Sequence, residues 1–449
     1  MSYARRLGLF SGTMAVIGGI IGAGIFLNPA IVAQRVASGS LTMLAWVLGG
    51  VVAVLGGFIY GELGQRLPKA GGSYAYLRAG VSPAVGFLYA WSLALIMATG
   101  AAAAVGYTFA SYAVDLFGLP TSSTTGLAAG AIAVFTVINL FGVQFGAWTQ
   151  NVFVVLKLVA IGVLIVAGSF FAVATPYDCS GCAPLATPVG PAATVAAMAT
   201  AFVPILFAYG GWQQANYVAE ELIEPERNLP RALILGVAAV VVVHLLANAV
   251  YLRVLGVDGL ANSRAPAADT LGAIFGPTGR RIISLGVVIS TAGFLNTVTL
   301  LSPRVYQAMA RDGLFFEGFS RLHPVWRTPV VAILFQGVWS IGLLFSGTYG
   351  ELLDYVVFAD WIFFGATAAA LLVLRRRGIG ERGGFRVPGY PVTVWLFIAA
   401  AAYVVVGSVV SDPMNAVRGS GLVALGVPVF WYWARKSRGG DPPPAEAER

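Results

Sequence analysis

Long apolar stretches, separated by short polar connections, run along almost the whole chain. A helix needs about 20 apolar residues to cross the hydrocarbon core of a bilayer. Twelve stretches come close to this length or exceed it, and they cover approximately residues 10–35, 41–63, 84–113, 125–143, 150–173, 194–219, 230–256, 282–306, 329–346, 352–374, 391–410 and 418–434. The pattern predicts an all-α integral membrane protein with twelve transmembrane helices.

The composition agrees with a chain that faces lipid. Of the 449 residues, 58% are hydrophobic and 10% are charged, whereas soluble domains contain about 25% charged residues. The formal net charge of +8 comes from basic residues in short loops. The charge therefore indicates orientation in a membrane, and no nucleic-acid partner is expected.

Twelve spans place both termini on the same side of the membrane. Twenty lysines and arginines fall on that side and six on the other, so both termini are predicted to be cytoplasmic. No A-x-A cleavage site follows the first apolar stretch, which is therefore expected to stay in the protein. The sequence predicts an integral protein of the plasma membrane of a prokaryotic cell.

Two glycine-rich interruptions fall inside apolar stretches. Residues 18–26 read GGIIGAGIF, and residues 207–216 read FAYGGWQQAN. A helix broken within lipid leaves costly unpaired backbone groups unless the break lines a cavity. Matched breaks in the two halves of a polytopic chain are typical of the binding site of a transporter.

The breaks also divide the chain. The first and sixth stretches each open a set of five spans, and because five is odd, the second set enters the membrane from the opposite side. This predicts an inverted five-plus-five repeat with broken helices 1 and 6, followed by two extra helices. The predicted segments are a cytoplasmic N-terminus 1–8, a first repeat 9–173, an extracytoplasmic loop 174–193, a second repeat 194–374, a cytoplasmic loop 375–390, helices 11 and 12 within 391–434, and a cytoplasmic tail 435–449.

The backbone groups freed by the breaks suit a zwitterion. A half-helix beginning near Gly24 presents free N–H groups and a positive dipole end, which favour a carboxylate. Half-helices ending near Ile20 and Phe207 leave carbonyls for an ammonium group. Nothing acidic lies in either break, which favours neutral amino acids. The alternative is that Gly18-x-x-x-Gly22 only allows close helix packing.

These residues carry a family resemblance. Residues 20–26 and 207–212 resemble the helix-one and helix-six signatures of the amino acid–polyamine–organocation superfamily. Residues 216–221 (NYVAEE) and 225–232 (PERNLPRA) resemble its L-type amino acid transporter branch, and the resemblance covers nearly the whole chain. It implies the inverted fold and exchange of amino acids by alternating access.

The resemblance also implies roles for single residues. The Ala23 and Gly24 amides would bind the substrate carboxylate, and the carbonyls of Ile20, Phe207 and Gly210 would bind its amine. The other candidate binding residues in the two signatures are Gly22, Ala208, Trp212 and Gln213.

The chain departs from its relatives in three places. Many relatives have serine at Ala23, and some have asparagine at Gln213, so the preference for substrate side chains is expected to differ. Eukaryotic members join a heavy chain through a cysteine between spans three and four. Residues 115–125 contain none, so no disulfide-linked heavy chain is expected. A cofactor is not expected either.

Lys157 is the one lysine inside an apolar stretch. Because an ionised lysine in the bilayer core is costly, such residues usually face the bundle interior. The alternative is that its side chain snorkels to the interface. In the resembling family a lysine in helix five occupies the place of a sodium ion and bridges toward helix one. Tyr251 resembles a tyrosine that helps to close the site; the alternative is an interfacial belt residue.

Other polar residues predict structure more than function. Glu62 lies one helical turn before Arg66, which predicts an ion pair along the helix. Asp360, in the tenth stretch, has no evident partner. Cys179 and Cys182 form either an outer-face disulfide or two idle thiols, since no second cysteine pair or nearby histidine completes a metal site.

Other function classes lack their sequence signatures. No H-E-x-x-H motif is present, and the chain has only two histidines, so a membrane-embedded enzyme is disfavoured. None of the lysines lies in a G-x-x-x-x-G-K-[ST] loop, which disfavours ATP-driven transport. Saturation and counterflow would separate a carrier from a channel. Exchange and proton symport stay open, while the lysine argues against sodium coupling only.

Overall fold

The computed structural model describes residues 5–171, 179, 182–183, 185, 187–345, 349–381, 384–411 and 413–439. Regular structure in these residues is helical, apart from an isolated β-bridge between Leu7 and Leu222. Parts of the predicted N-terminus, of the loops 174–193 and 375–390, and of the C-terminal tail lie outside the described residues.

The first half of the chain forms eight α-helices. Helix α5 continues into α6 through a π-helical turn at Leu93–Met97, and a short 3₁₀ turn precedes α7. The helices are α1 (Leu9–Ile20), α2 (Gly24–Val36), α3 (Gly39–Arg66), α4 (Ser73–Gly80), α5 (Pro83–Ser92), α6 (Ala98–Phe117), α7 (Thr124–Leu140) and α8 (Val143–Phe170).

The second half begins with α9, which is followed by a 3₁₀ segment, Trp212–Glu221. The helices are α9 (Pro191–Tyr209), α10 (Pro225–Asn262), α11 (Pro266–Leu301), α12 (Pro303–Arg311), α13 (Glu317–Ser320), α14 (Val330–Leu343), α15 (Tyr349–Arg376), α16 (Val392–Ser411), α17 (Pro413–Ala424) and α18 (Gly426–Gly439).

Ten helical segments of the described chain are long and apolar enough to cross a membrane. They match ten of the twelve predicted stretches. The predicted ninth span, 329–346, corresponds to α14, which has 14 residues, and the twelfth, 418–434, is divided between α17 and α18. The protein is therefore an integral membrane protein with ten candidate spans, and the total of twelve stays a prediction.

Two helices extend well beyond the predicted apolar stretches. Helix α10 passes the predicted end at residue 256, and α11 begins 16 residues before the predicted start at 282. The extra pieces are set off by Gly256 (φ 68°) and Gly276 (φ 63°), which have non-helical backbone angles. Glycine adopts positive φ without the steric penalty of a Cβ atom, so the chain turns at both points between a span and a flanking helix.

Each half of the first broken span packs against one half of the second broken span. Helix α1 contacts the 3₁₀ segment, and α2 contacts α9. Asn28 Nδ2 on α2 donates to the carbonyl of Pro204 on α9 at 2.6 Å. The half that comes first in one span thus lies beside the half that comes second in the other.

A buried carboxylate joins three parts of the chain away from the breaks. Glu62, 1% exposed, accepts from Arg66 Nε at 2.8 Å, which confirms the predicted helix ion pair. It also pairs with Arg375 on α15 and accepts from the Val387 amide at 2.7 Å. Three donors compensate the burial of this charge.

Candidate binding site at the two helix breaks

The first break falls at the predicted residues. Helix α1 ends at Ile20, Ile21 has extended angles (φ −77°, ψ 95°), and α2 starts at Gly24. Phe26 and Leu27 donate the first hydrogen bonds of α2, both to Ala23 O, at 3.0 and 3.2 Å. The amides at the start of α2 are therefore the ones that a helix leaves without an internal partner.

The second break lies between α9 and the 3₁₀ segment. Helix α9 ends at Tyr209, two residues beyond the predicted end, and Gly211 has φ 112°. The Gly210 amide donates to Leu206 O at 2.9 Å and to Phe207 O at 3.2 Å. Because a carbonyl has two lone pairs, Phe207 O can accept a further bond.

Gln213 contributes to the shape of this break. Its Oε1 accepts from the Gly211 amide at 3.0 Å, so the side chain closes a local turn over the non-helical glycine. The same residue lines the cavity described below. A candidate binding residue thus also fixes the backbone of the break.

The glycines let the broken spans approach closely. A methyl group on Gly19 would lie 2.8 Å from Gly211 O, and one on Gly24 would lie 2.8 Å from Ala208 Cα. Both distances are below van der Waals contact, and the obstructing atoms belong to backbone. Close helix packing was the alternative to ligand binding at these glycines. The packing that they allow joins the two breaks and brings the polar backbone groups of both breaks together.

A small cavity lies between the breaks. Its volume is about 50 Å³, which is enough for a few water molecules. Seven predicted binding residues line it: Ile20, Gly22, Ala23, Gly24, Phe207, Gly210 and Gln213. An amino acid therefore needs the cavity to widen before it can enter.

Two predicted binding residues lie behind the cavity wall. Ala208 backs Gly24 at close range. Trp212 is fully buried and packs among the rings of Tyr60, Trp361, Phe364 and Phe397. Neither is among the residues that line the cavity, so direct substrate contact is not what their positions favour.

Lys157 contacts the first break directly. The side chain is fully buried, and Nζ donates to Ile21 O at 2.5 Å. Ile21 is the extended residue between the two half-helices. The ammonium group therefore lies in the bundle interior and binds an unwound carbonyl, and the snorkelling alternative does not describe this lysine.

Tyr251 on α10 contacts the other half of the same span. Its side chain is fully buried, and its hydroxyl donates to Ile25 O at 3.3 Å. An interfacial belt residue would lie at the edge of the bundle. Tyr251 instead ties the start of α2 to α10.

Sequence reasoning missed the rest of the cavity wall. Residues from other spans complete it, including Met97, Phe294 and Phe364, together with Gln214 and Tyr217 of the 3₁₀ segment. Asp360, noticed in the sequence without a partner, also lines the cavity. No signal marked the apolar members, because residues facing a cavity and residues facing lipid are equally hydrophobic.

A buried ion pair fixes the end of the 3₁₀ segment. Glu221 Oε1 accepts from Arg304 Nε at 2.7 Å, and both side chains are 1% exposed. The Glu221 carbonyl accepts from the amides of Arg6 and Leu7, at 2.9 and 3.0 Å. The segment is thus held to α12 and to the N-terminal residues.

The cysteines of the chain pair with each other. Cys179 and Cys182 form a disulfide, which selects one of the two alternatives that the sequence left open. The chain has no other cysteines.

Comparison with known proteins identifies the class. Residues 7–431 match the family model for amino acid permeases. The chain therefore belongs to the amino acid permease family, within the amino acid–polyamine–organocation superfamily, and is a transporter rather than an enzyme.

Individual relatives are similar along most of their length. The chain is 30% identical to the serine/threonine exchanger SteT of Bacillus subtilis, over 95% of this chain and 96% of that protein. It is equally similar to the b(0,+)-type amino acid transporter 1 of Mus musculus, over 92% and 84%. The same identity holds for the large neutral amino acids transporter small subunit 2 of Homo sapiens, over 97% and 82%.

Proposed function

We propose that this protein exchanges neutral L-amino acids across the membrane by alternating access, without sodium. The observation that carries the proposal is the pairing of two unwound breaks around one cavity. Backbone N–H groups at the start of α2 suit a carboxylate, and carbonyls at the ends of α1 and α9 suit an ammonium group. No acidic residue lies in either break. Related proteins include an exchanger and a transporter of large neutral amino acids.

In this proposal each residue of the breaks has a defined role. The Ala23 and Gly24 amides bind the carboxylate of the substrate. The carbonyls of Ile20, Phe207 and Gly210 bind its amine. Gly22 gives the ligand access to the backbone, and Gln213 keeps the second break open through its bond to Gly211.

Lys157 and Tyr251 would link the bound substrate to movement of the first broken span. Lys157 holds Ile21, and Tyr251 holds Ile25. The ammonium group of Lys157 supplies a fixed positive charge beside the break, which a sodium ion would otherwise supply. This supports transport that does not depend on sodium.

The proposed architecture is the inverted repeat of residues 9–173 and 194–374, followed by two further helices. The packing of α1 on the 3₁₀ segment and of α2 on α9 supports the inversion. The distribution of basic residues supports cytoplasmic termini. Because both cysteines are consumed in one disulfide, we propose that the chain acts without a disulfide-linked partner.

Proton-coupled symport is the second candidate. Two ionisable groups lie near the breaks. Lys157 is fully buried and Asp360 lines the cavity, and either could carry a proton during the cycle.

Purified protein in liposomes tests both candidates. Uptake of labelled serine and leucine is measured with and without internal amino acid, and with and without an acidic exterior. Exchange predicts uptake that requires internal substrate and is unchanged when sodium is replaced by choline. Uptake driven by the pH gradient into empty vesicles would favour symport instead, and no uptake under any condition would refute amino acid transport.

A further inference from the structure

One wall of the cavity carries a carboxyl group that the proposed exchange of neutral amino acids does not use. Helix α15 contributes Asp360 to the lining, next to Trp361 and Phe364. The other lining residues in the described part of the chain have no carboxyl or cationic side chain. The cavity is therefore neutral apart from this residue and the backbone dipoles.

Asp360 lacks the partners that buried carboxylates normally have. Its Oδ1 is buried without a hydrogen-bond partner, and no ion pair among the described residues includes it. Elsewhere in this protein Glu62 has three donors and Glu221 has an arginine. Those two carboxylates each pair with an arginine of another helix, whereas Asp360 Oδ1 has no partner.

Its neighbours do not neutralise it. Three tyrosines, Tyr60, Tyr89 and Tyr217, lie near Asp360. Tyr89 and Tyr217 bond to each other through their hydroxyls, and Tyr60 Oη accepts from Ser73. A tyrosine hydroxyl is uncharged near neutral pH. The buried cation at the breaks, Lys157, is bonded to Ile21 O.

A buried carboxyl group with an unpaired oxygen is costly, and a ligand in the cavity can supply what the protein does not. The backbone groups of the breaks serve the α-amino and α-carboxyl groups of an amino acid. The carboxyl group of Asp360, on α15, is then available as an acceptor for the side chain of the substrate.

We infer that Asp360 is a specificity residue for the substrate side chain, and that it admits amino acids whose side chain carries an ammonium or guanidinium group. The inference rests on the proposed amino acid transport and extends its range from neutral to cationic substrates. The side-chain cation donates to the Asp360 carboxylate, while the two breaks hold the rest of the ligand. Charge-assisted bonds of this kind are stronger than neutral ones.

Lysine and norleucine separate the charge from the size of a side chain, because norleucine has the same straight carbon chain without the ammonium group. Exchange of both is measured in liposomes for the wild type and for Asp360→Asn, which keeps the shape but removes the charge. We expect Asp360→Asn to lower kcat/KM for lysine by at least about tenfold and to leave norleucine nearly unchanged. Glu317→Gln is the matched control, because Glu317 is exposed and pairs with Arg321 away from the cavity; it should alter neither substrate.

The outcomes distinguish this inference from the proposed function. Exchange of norleucine without exchange of lysine by the wild type overturns the inference alone, as does an equal loss of both substrates in Asp360→Asn. Exchange of no amino acid overturns the proposed function.

If Asp360→Asn does not fold, two other measurements decide. Lysine should compete with norleucine uptake by the wild type, and Asp360→Glu should keep the preference for lysine over norleucine. Failure of either result contradicts the inference.

Discussion

The contact between Lys157 and Ile21 gives the sharpest prediction about the transport cycle. Lys157→Ala, the simplest change, removes the ammonium group but also empties a fully buried site, and deleting a large buried side chain costs about 2–5 kcal/mol by itself. Lys157→Met separates the two effects, because the unbranched thioether side chain of methionine, one atom shorter than that of lysine, fills most of the site but lacks the charge and the donor.

Lys157→Met is expected to lower transport without a matching loss of stability. A hydrogen bond to a charged group contributes about 1.5–3 kcal/mol, and its loss leaves Ile21 O unpaired in the unwound segment. Removing a buried ammonium group also removes its desolvation cost, so the folded protein need not lose stability. If the bond holds the binding geometry of the first break, kcat/KM should fall by about 10- to 150-fold.

Exchange in liposomes and heating of the detergent-solubilised protein measure these two quantities. Lys436→Ala is the control, because Lys436 is exposed and lies over the ring of Trp433 near the end of α18. Exchange by Lys157→Met within about twofold of the wild type, with normal amounts in the membrane, would refute a role of the ammonium group in the cycle.

Three further changes test the packing that surrounds the site. Gly24→Ala should reduce exchange at least about tenfold, because the added methyl group forces α2 away from α9. Gly130→Ala is the control and should not reduce exchange, because a methyl group there meets nothing within 4 Å. Equal activities of the two variants would contradict the argument that α2 and α9 must approach closely at Gly24. Glu62→Gln should lower the unfolding free energy by about 3 kcal/mol, seen as aggregation at lower temperature in detergent, and an unchanged melting curve would contradict it. Replacing Cys179 and Cys182 together by serine should leave exchange kinetics unchanged, and a large loss would show that the disulfide contributes to transport.

The positions of the breaks were predictable because glycine acts locally. Each glycine lowers helix stability by about 1 kcal/mol, so the run from Gly18 to Gly24 marked the end of α1 and the start of α2 to the residue. The second break was displaced by two residues, to Tyr209. There the Gly210 amide still bonds to Leu206 O, and the helix ends only where Gly211 adopts a positive φ.

The cavity wall was not predictable in the same way. A helix in a soluble protein shows its buried face as an apolar stripe, but a membrane helix is apolar on all sides. Phe294, which lines the cavity, and Val338, which is 71% exposed, therefore look alike in the sequence. Only polar residues inside the membrane, such as Lys157 and Asp360, gave a usable signal.

The sequence contains an indication that the predicted twelfth span is divided into two helices, although the length of its apolar stretch does not show it. Helix α17 ends at Ala424, and α18 begins at Gly426, two residues before Pro428. Proline is tolerated in the first turn of a helix and disrupts a helix interior. The proline therefore indicates a helix start near residue 426, and the hydropathy of residues 418–434 does not contain this information.

The interactions around the breaks differ in strength from one end of the cavity to the other. Separating Glu221 from Arg304 would leave a buried charge unpaired, at about 3–5 kcal/mol. The bonds from Asn28 to Pro204 and from Tyr251 to Ile25 are neutral, and each contributes about 0.5–1.5 kcal/mol. Because the cavity must widen to take an amino acid, parting α2 from α9 and α10 is the less costly route. The distribution of basic residues predicts that α2 and the start of α9 face the exterior. On that prediction the weaker bonds lie on the outer side of the cavity and the stronger ion pair on the cytoplasmic side.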